Sequence, residues 1–180
     1  MSGRHEARTL AVQFLFQRDF NSGDLPEALA DFWPEHKAGP KVQKFAEELI
    51  LGVERERTEI DRQLAKFAEN WEIKRMGAVD RNVMRLALYE MNFCPDIPPV
   101  VSINEAIDLA KELSSDESGK FVNGILDRAR KELDRPARAA VLRPPAKRAD
   151  HGKLAGCPVP YPQPHGQCAC ADFYTQEAGR

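Results

Sequence analysis

The chain has 180 residues, 42% hydrophobic and 30% charged. That is enough apolar material for one buried core with an appendage. No apolar run reaches the ~18 residues a membrane span needs, and the opening MSGRHEARTL is polar and basic rather than signal-like, so a cytoplasmic protein without membrane contact is expected. The net charge of −2 is uneven: residues 136–180 hold six Lys/Arg against three Asp/Glu, leaving the rest clearly acidic. An acidic body excludes general nucleic-acid binding, so any RNA contact must be local.

Residues 4–20 place Ala7, Leu10, Ala11, Phe14 and Leu15 on one face at helical spacing. Arg4 and Arg8, one turn apart with His5 beside them, border that stripe. They fit either a solvated helix end or a pair reaching phosphates. Phe16 points away from the stripe, flanked by Val12 one turn earlier; such a ring is either an incidental contact or a partner anchor. Asp24–Trp33 predicts a short helix with Leu25, Ala28, Leu29 and Phe32 inward, ended by Pro34. From Lys41 the inward positions are Val42, Phe45, Ala46, Leu49, Ile50 and Val53. The charged Glu54–Arg57 breaks that pattern, and Thr58 is the expected N-cap of a helix burying Ile60, Leu64, Phe67 and Trp71. From about Ala78 a further helix buries Val79, Val83, Leu86, Ala87 and Met91. Asp80 falls in its first turn, where the helix dipole favours an acid even without a partner.

The proline-rich loop Cys94–Pro99 stops that helix. Two more are read between Ser102 and Leu126. Ser102 and Glu105 form an S-x-x-E capping box ahead of Ile103, Ala106, Ile107, Ala110 and Leu113. The turn Ser114–Ser118 can cap the last helix, which buries Phe121, Val122, Ile125, Leu126 and Ala129. Lys120-Phe121-Val122-Asn123-Gly124 is read at that helix's first turn. It is either ordinary core with polar neighbours or a site where free backbone N–H groups, a cation, a ring and an amide meet phosphate and base. Nothing reads as a strand. The expectation is an all-α fold of about seven helices.

From Pro136 the texture changes: seven of the 13 prolines lie there and no apolar period survives. Residues 1–135 are therefore read as the folded domain and 136–180 as a disordered tail. Cys157, His165, Cys168 and Cys170 could supply zinc ligands, but their loose spacing favours reduced thiols and no metal. The chain has no Gly-rich phosphate loop and no nucleophile–base pair, and Cys94 has no basic neighbour to activate it. Neither catalysis nor a cofactor is expected.

R-x-x-A-R (Arg4–Arg8), R-x-A-L-Y-E (Arg85–Glu90), S-I-N-E-A-I-D-L-A-K (Ser102–Lys111) and K-F-V-N-G-I-L-D (Lys120–Asp127) occur in the order and spacing of one family. Over roughly residues 3–133 the chain resembles the NusB family of bacterial transcription antitermination proteins. The resemblance implies two small helical sub-bundles and binding to boxA leader RNA. It also implies a heterodimer with NusE, a ribosomal small-subunit protein, inside an RNA polymerase complex that reads through terminators in ribosomal RNA operons. Carried over by position, it assigns Arg4, Arg8, Glu117, Lys120, Phe121 and Asn123 to RNA, and Phe16 and Asp80 to the partner. His5 and Glu6 stand where further arginines can occur, which implies modest affinity for RNA alone. Two alternatives remain open: a NusB-like helical scaffold binding proteins only, and the RNA-binding module of a ribosomal RNA cytosine methyltransferase. The expectation that the chain ends without a methyl-donor domain speaks against the second.

Overall fold

Apolar residues spaced three and four apart govern the computed structural model, which describes residues 3–21, 23–68 and 71–133. Among these residues there are seven α-helices and no strand: α1 (Gly3–Phe20), α2 (Leu25–Phe32), α3 (Pro40–Arg55), α4 (Arg57–Phe67), α5 (Ala78–Phe93), α6 (Pro99–Leu113) and α7 (Asp116–Lys131). Short 3-10 turns cover Trp33–Glu35 and Ile73–Arg75. No helix among the described residues is long and apolar enough to cross a membrane. The expected tail from Pro136, with its candidate ligands Cys157, His165, Cys168 and Cys170, lies outside the described residues.

α1–α3 and α4–α7 form two sub-bundles joined by α5, which packs against α1, α3, α4, α6 and α7. One continuous core results, running from Leu15 and Phe32 through Leu49, Ile60 and Met84 to Leu109 and Leu126. A central helix is buried nearly all round, so polar Asn82, Arg85 and Glu90 go inside with its apolar residues. α3 approaches α5 closely because Gly52 has no side chain: a Cβ there would stand 2.0 Å from the Tyr89 ring.

Three boundaries differ from the sequence reading. α6 starts at Pro99, not Ser102, since a proline in the first turn already has helical φ and needs no N–H. Ser102 is therefore inside the helix, its hydroxyl buried without a hydrogen-bond partner, and there is no capping box. Glu56, not Thr58, precedes α4. α4 ends at Phe67, so the i+4 spacing lapses and Trp71 is exposed rather than inward. In α1, Val12 is buried and Leu10 only partly so, which moves the stripe toward Ala7, Ala11 and Leu15.

Candidate nucleic-acid and partner interface

α7 carries the first group of expected residues. Ser115 caps it, its hydroxyl accepting from the Ser118 N–H at 3.2 Å, as the serine-rich turn predicts. Because the helix begins at Asp116, Lys120–Gly124 occupy its second turn, where N–H groups are engaged within the helix. Phosphate binding by free backbone N–H groups at this motif is thus ruled out; its side chains must carry any contact. Glu117, Lys120 and Asn123 are exposed, Val122 is buried, and Phe121 is half-buried against the core. At about 100° per residue, Glu117, Lys120, Phe121 and Gly124 share one side of α7, with Asn123 at its border. A Cβ at Gly124 would meet nothing within 4 Å, so this side also shows bare backbone.

Trp71, just beyond α4, stands edge-on to Phe121 with ring centres 5.3 Å apart. It is 57% exposed. Periodicity placed it in the core; its real position follows from the turn that ends α4, where the Trp71 N–H bonds to the Ala68 carbonyl at 2.9 Å.

The start of α1 behaves differently from expectation. Arg4 is exposed, its guanidinium 5.4 Å from the centre of the Phe45 ring. Arg8 is only 2% exposed. Its Nε donates to Glu90 Oε1 at 2.7 Å and its Nη2 to Glu90 Oε2 at 3.3 Å, while Nη1 lies 3.3 Å from Glu105 Oε2. Carboxylates already occupy this guanidinium, so Arg8 ties α1 to α5 and α6 instead of presenting charge to phosphate. Arg8 turns inward because it lies one residue past Ala7, within the shifted stripe, and Glu90 is buried in the same core. His5 bridges Glu105 (Nδ1, 3.0 Å) and Glu112 (Nε2, 3.1 Å). Hydrogen bonding to Glu112, with help from Glu105, raises its pKa despite partial burial.

A second cluster, not foreseen from sequence, gathers at the end of α1. The Asp19 carboxylate accepts from Arg57, from Arg81 at 2.7 Å, from Asn82 at 2.9 Å and from Arg85 at 3.1 Å. Burial pushes its pKa up, but the bonds from Arg81 and Asn82 and the charges of Arg85 and Arg81 outweigh it and the net shift is downward. Arg85 also binds Asp61 through Nε at 2.7 Å and Nη2 at 2.9 Å. The only sequence signal was an aspartate at the end of a helix otherwise facing apolar neighbours.

This cluster ties the end of α1, the helix of Phe16, to the start of α5, the helix of Asp80. Phe16 is 38% exposed and rests on Phe20, itself 69% exposed, with ring centres 5.1 Å apart. Both lie within one turn of Asp19, which holds Arg81 and so draws the start of α5 to the end of α1. Next to Arg81, Asp80 accepts from the Ser118 hydroxyl at 3.2 Å, while its other oxygen is buried without a hydrogen bond. Burial raises the Asp80 pKa against the bonds from Ser118 and Ser114. Asp19 thus links the end of α1 to α5 through Arg81, and Asp80 links α5 to the first turn of α7 through Ser118. Among the described residues no group of His, Cys, Asp and Glu could hold a metal ion.

The profile of the NusB family matches residues 5–131. The chain belongs to the NusB family. The transcription antitermination protein NusB of Myxococcus xanthus is 41% identical over 140 residues, covering 76% of this chain and all of the relative. That of Trichlorobacter lovleyi is 46% identical, covering 71% of this chain and 89% of the relative. Among solved structures, T. maritima NusB is 41% identical with a TM-score of 0.66, covering 72% of this chain and 91% of that one. A NusB solved with NusE in complex with double-stranded RNA is 28% identical with a TM-score of 0.67, covering 74% of this chain and 99% of that one. Membership carries transcription antitermination, not catalysis, as the function.

Proposed function

We propose that this chain acts in antitermination by binding boxA leader RNA together with NusE, the ribosomal small-subunit protein, in the cytoplasm. The pair then joins elongating RNA polymerase and promotes read-through in ribosomal RNA operons. The observation that carries this reading is the likeness, over 74% of this chain and 99% of the other, to a NusB solved with NusE and RNA. It is supported by the exposed Lys120 and Asn123 and the Phe121 ring on one stretch of α7. Arg4 adds a cation at the start of α1, and the exposed Phe16–Phe20 pair suits a protein partner with apolar side chains. Asp80 serves that partner face in the proposal, and Glu117 borders the RNA face. Residues 1–135 carry both activities.

An acidic body with Arg8 buried offers few cations, so RNA and partner bind cooperatively, each tightening the other by the same factor. The decisive experiment is a salt-dependent mobility shift of labelled boxA RNA with and without NusE. Strong binding only in the presence of NusE is expected. NusE binding with no RNA shift under either condition would leave a scaffold that binds proteins only.

A further inference from the structure

We propose that Trp71 is a base-stacking residue, forming with Phe121 a two-ring platform for an unpaired base of RNA. This rests on the RNA reading above and adds to it a residue outside every helix and outside the sequence motifs. Three observations carry it. The indole is 57% exposed although an aromatic ring of that size gains by burial. Phe121 braces it edge-on, with ring planes 64° apart, so little rotational freedom remains to be lost when a base docks. Charged residues adjoin both rings along the chain: the exposed Lys120 precedes Phe121 in α7, and the exposed Glu72, Lys74 and Arg75 follow Trp71 within four residues.

That mixture of signs gives only modest attraction for phosphate. Stacking does not depend on net charge, and every base has a π-face. An apolar side chain of a protein partner fits this place poorly, because the apolar surface is one ring pair with charged residues next to both rings in the sequence. The Phe16–Phe20 pair suits a protein better. An unpaired or splayed-out base, by contrast, needs one flat ring, and the exposed Lys120 beside Phe121 in α7 is a cation for a flanking phosphate.

The chain contains two tryptophans. The other, Trp33, is half-buried with an indole N–H that makes no hydrogen bond, so Trp33→Phe removes no such bond and leaves Trp71 as the sole indole. With NusE present, boxA RNA should quench the emission of the Trp33→Phe protein as binding saturates. Trp71→Ala should weaken RNA binding about five- to a hundredfold without lowering the melting temperature. Trp71→Phe should retain most of the affinity, and an oligonucleotide made abasic at the stacked position should bind wild type and Trp71→Ala alike. If wild type binds RNA but Trp71→Ala binds equally well, or the emission does not move at saturation, the platform is overturned and the RNA reading stands. If wild type with NusE binds no RNA at all, both fall.

Discussion

Arg8 and Glu90 close on each other at 2.7 Å with side chains 3% and 1% exposed, fastening the first helix to the central one. Two motifs that stand far apart in the sequence, R-x-x-A-R and R-x-A-L-Y-E, thereby meet in one ion pair. Their shared role is architectural. Arg8→Ala should destabilise the protein by about 3–5 kcal/mol, because Glu90 is left as a buried charge with no guanidinium. Replacing both residues with apolar ones should recover most of that loss. Urea unfolding of the two variants checks this, and a loss below about 1 kcal/mol for Arg8→Ala would refute it.

Arg4 should behave in the opposite way. It is exposed, so Arg4→Ala should leave stability within about 0.5 kcal/mol of wild type. If it contacts a phosphate, the slope of log K against log salt should flatten by about one. An unchanged slope would remove the start of α1 from the RNA path.

Phe121 is half in the core and half beside Trp71, so its truncation should cost both stability and affinity. Phe121→Ala should lose about 1–3 kcal/mol of stability, less than a fully buried phenylalanine, and about 1–3 kcal/mol of RNA binding. Phe121→Leu should restore most of the stability and little of the affinity. Equal recovery of both in Phe121→Leu would mean that the ring acts only through packing.

Phe16→Asp places a charge on the exposed α1 pair. Its folding stability should change little, whereas a desolvated charge in an interface is costly. Binding to NusE, measured by calorimetry, should vanish, along with any gain in RNA affinity that NusE confers. Undiminished NusE binding would rule out the α1 aromatics as the partner face.

The pH dependence of stability follows from two groups with opposite signs. The folded pKa of His5 lies above its ordinary 6.5, so its contribution is complete below that value and is lost as pH rises through the folded pKa. Asp19 has a folded pKa below its ordinary 3.8, so its contribution is complete above that value and is lost as pH falls through the folded pKa. Wild type should therefore lose stability relative to His5→Gln as pH rises above 6.5, and relative to Asp19→Asn as pH falls below 3.8. Melting curves that ran parallel to the two variants across pH would show that neither group is linked to folding.

The apolar stripes of α3, α5 and α7 were legible because periodicity reports which side of a helix is buried and those helices run on without interruption. Ser102 and Trp71 were misread because each lies next to a boundary. Pro99 can open a helix three residues early, and past Phe67 the 3.6-residue period stops applying to Trp71. Phe16 was legible as outward because it lies past the edge of the stripe, even though the burial of Val12 one turn earlier brings that edge closer to it. Arg8 and Asp19 were not, since a charged residue at the border of a stripe can turn either way. What decides is the opposite charge on a helix 66 or 82 residues away, which no local pattern encodes.

The position of α5 governs how the molecule comes apart. A helix walled by five others cannot exchange its amide hydrogens through local opening, so its exchange should report complete unfolding. α2, by contrast, fully buries only Phe32 of its eight residues, with that ring against Phe14 at 5.3 Å and Leu25, Ala28 and Leu29 only partly buried on the core. It can peel away while the remainder persists, so proteases should nick the chain first around residues 23–38. No cut on either side of α5 yields a fragment that keeps its walls, which makes the two sub-bundles one cooperative unit despite their separate faces.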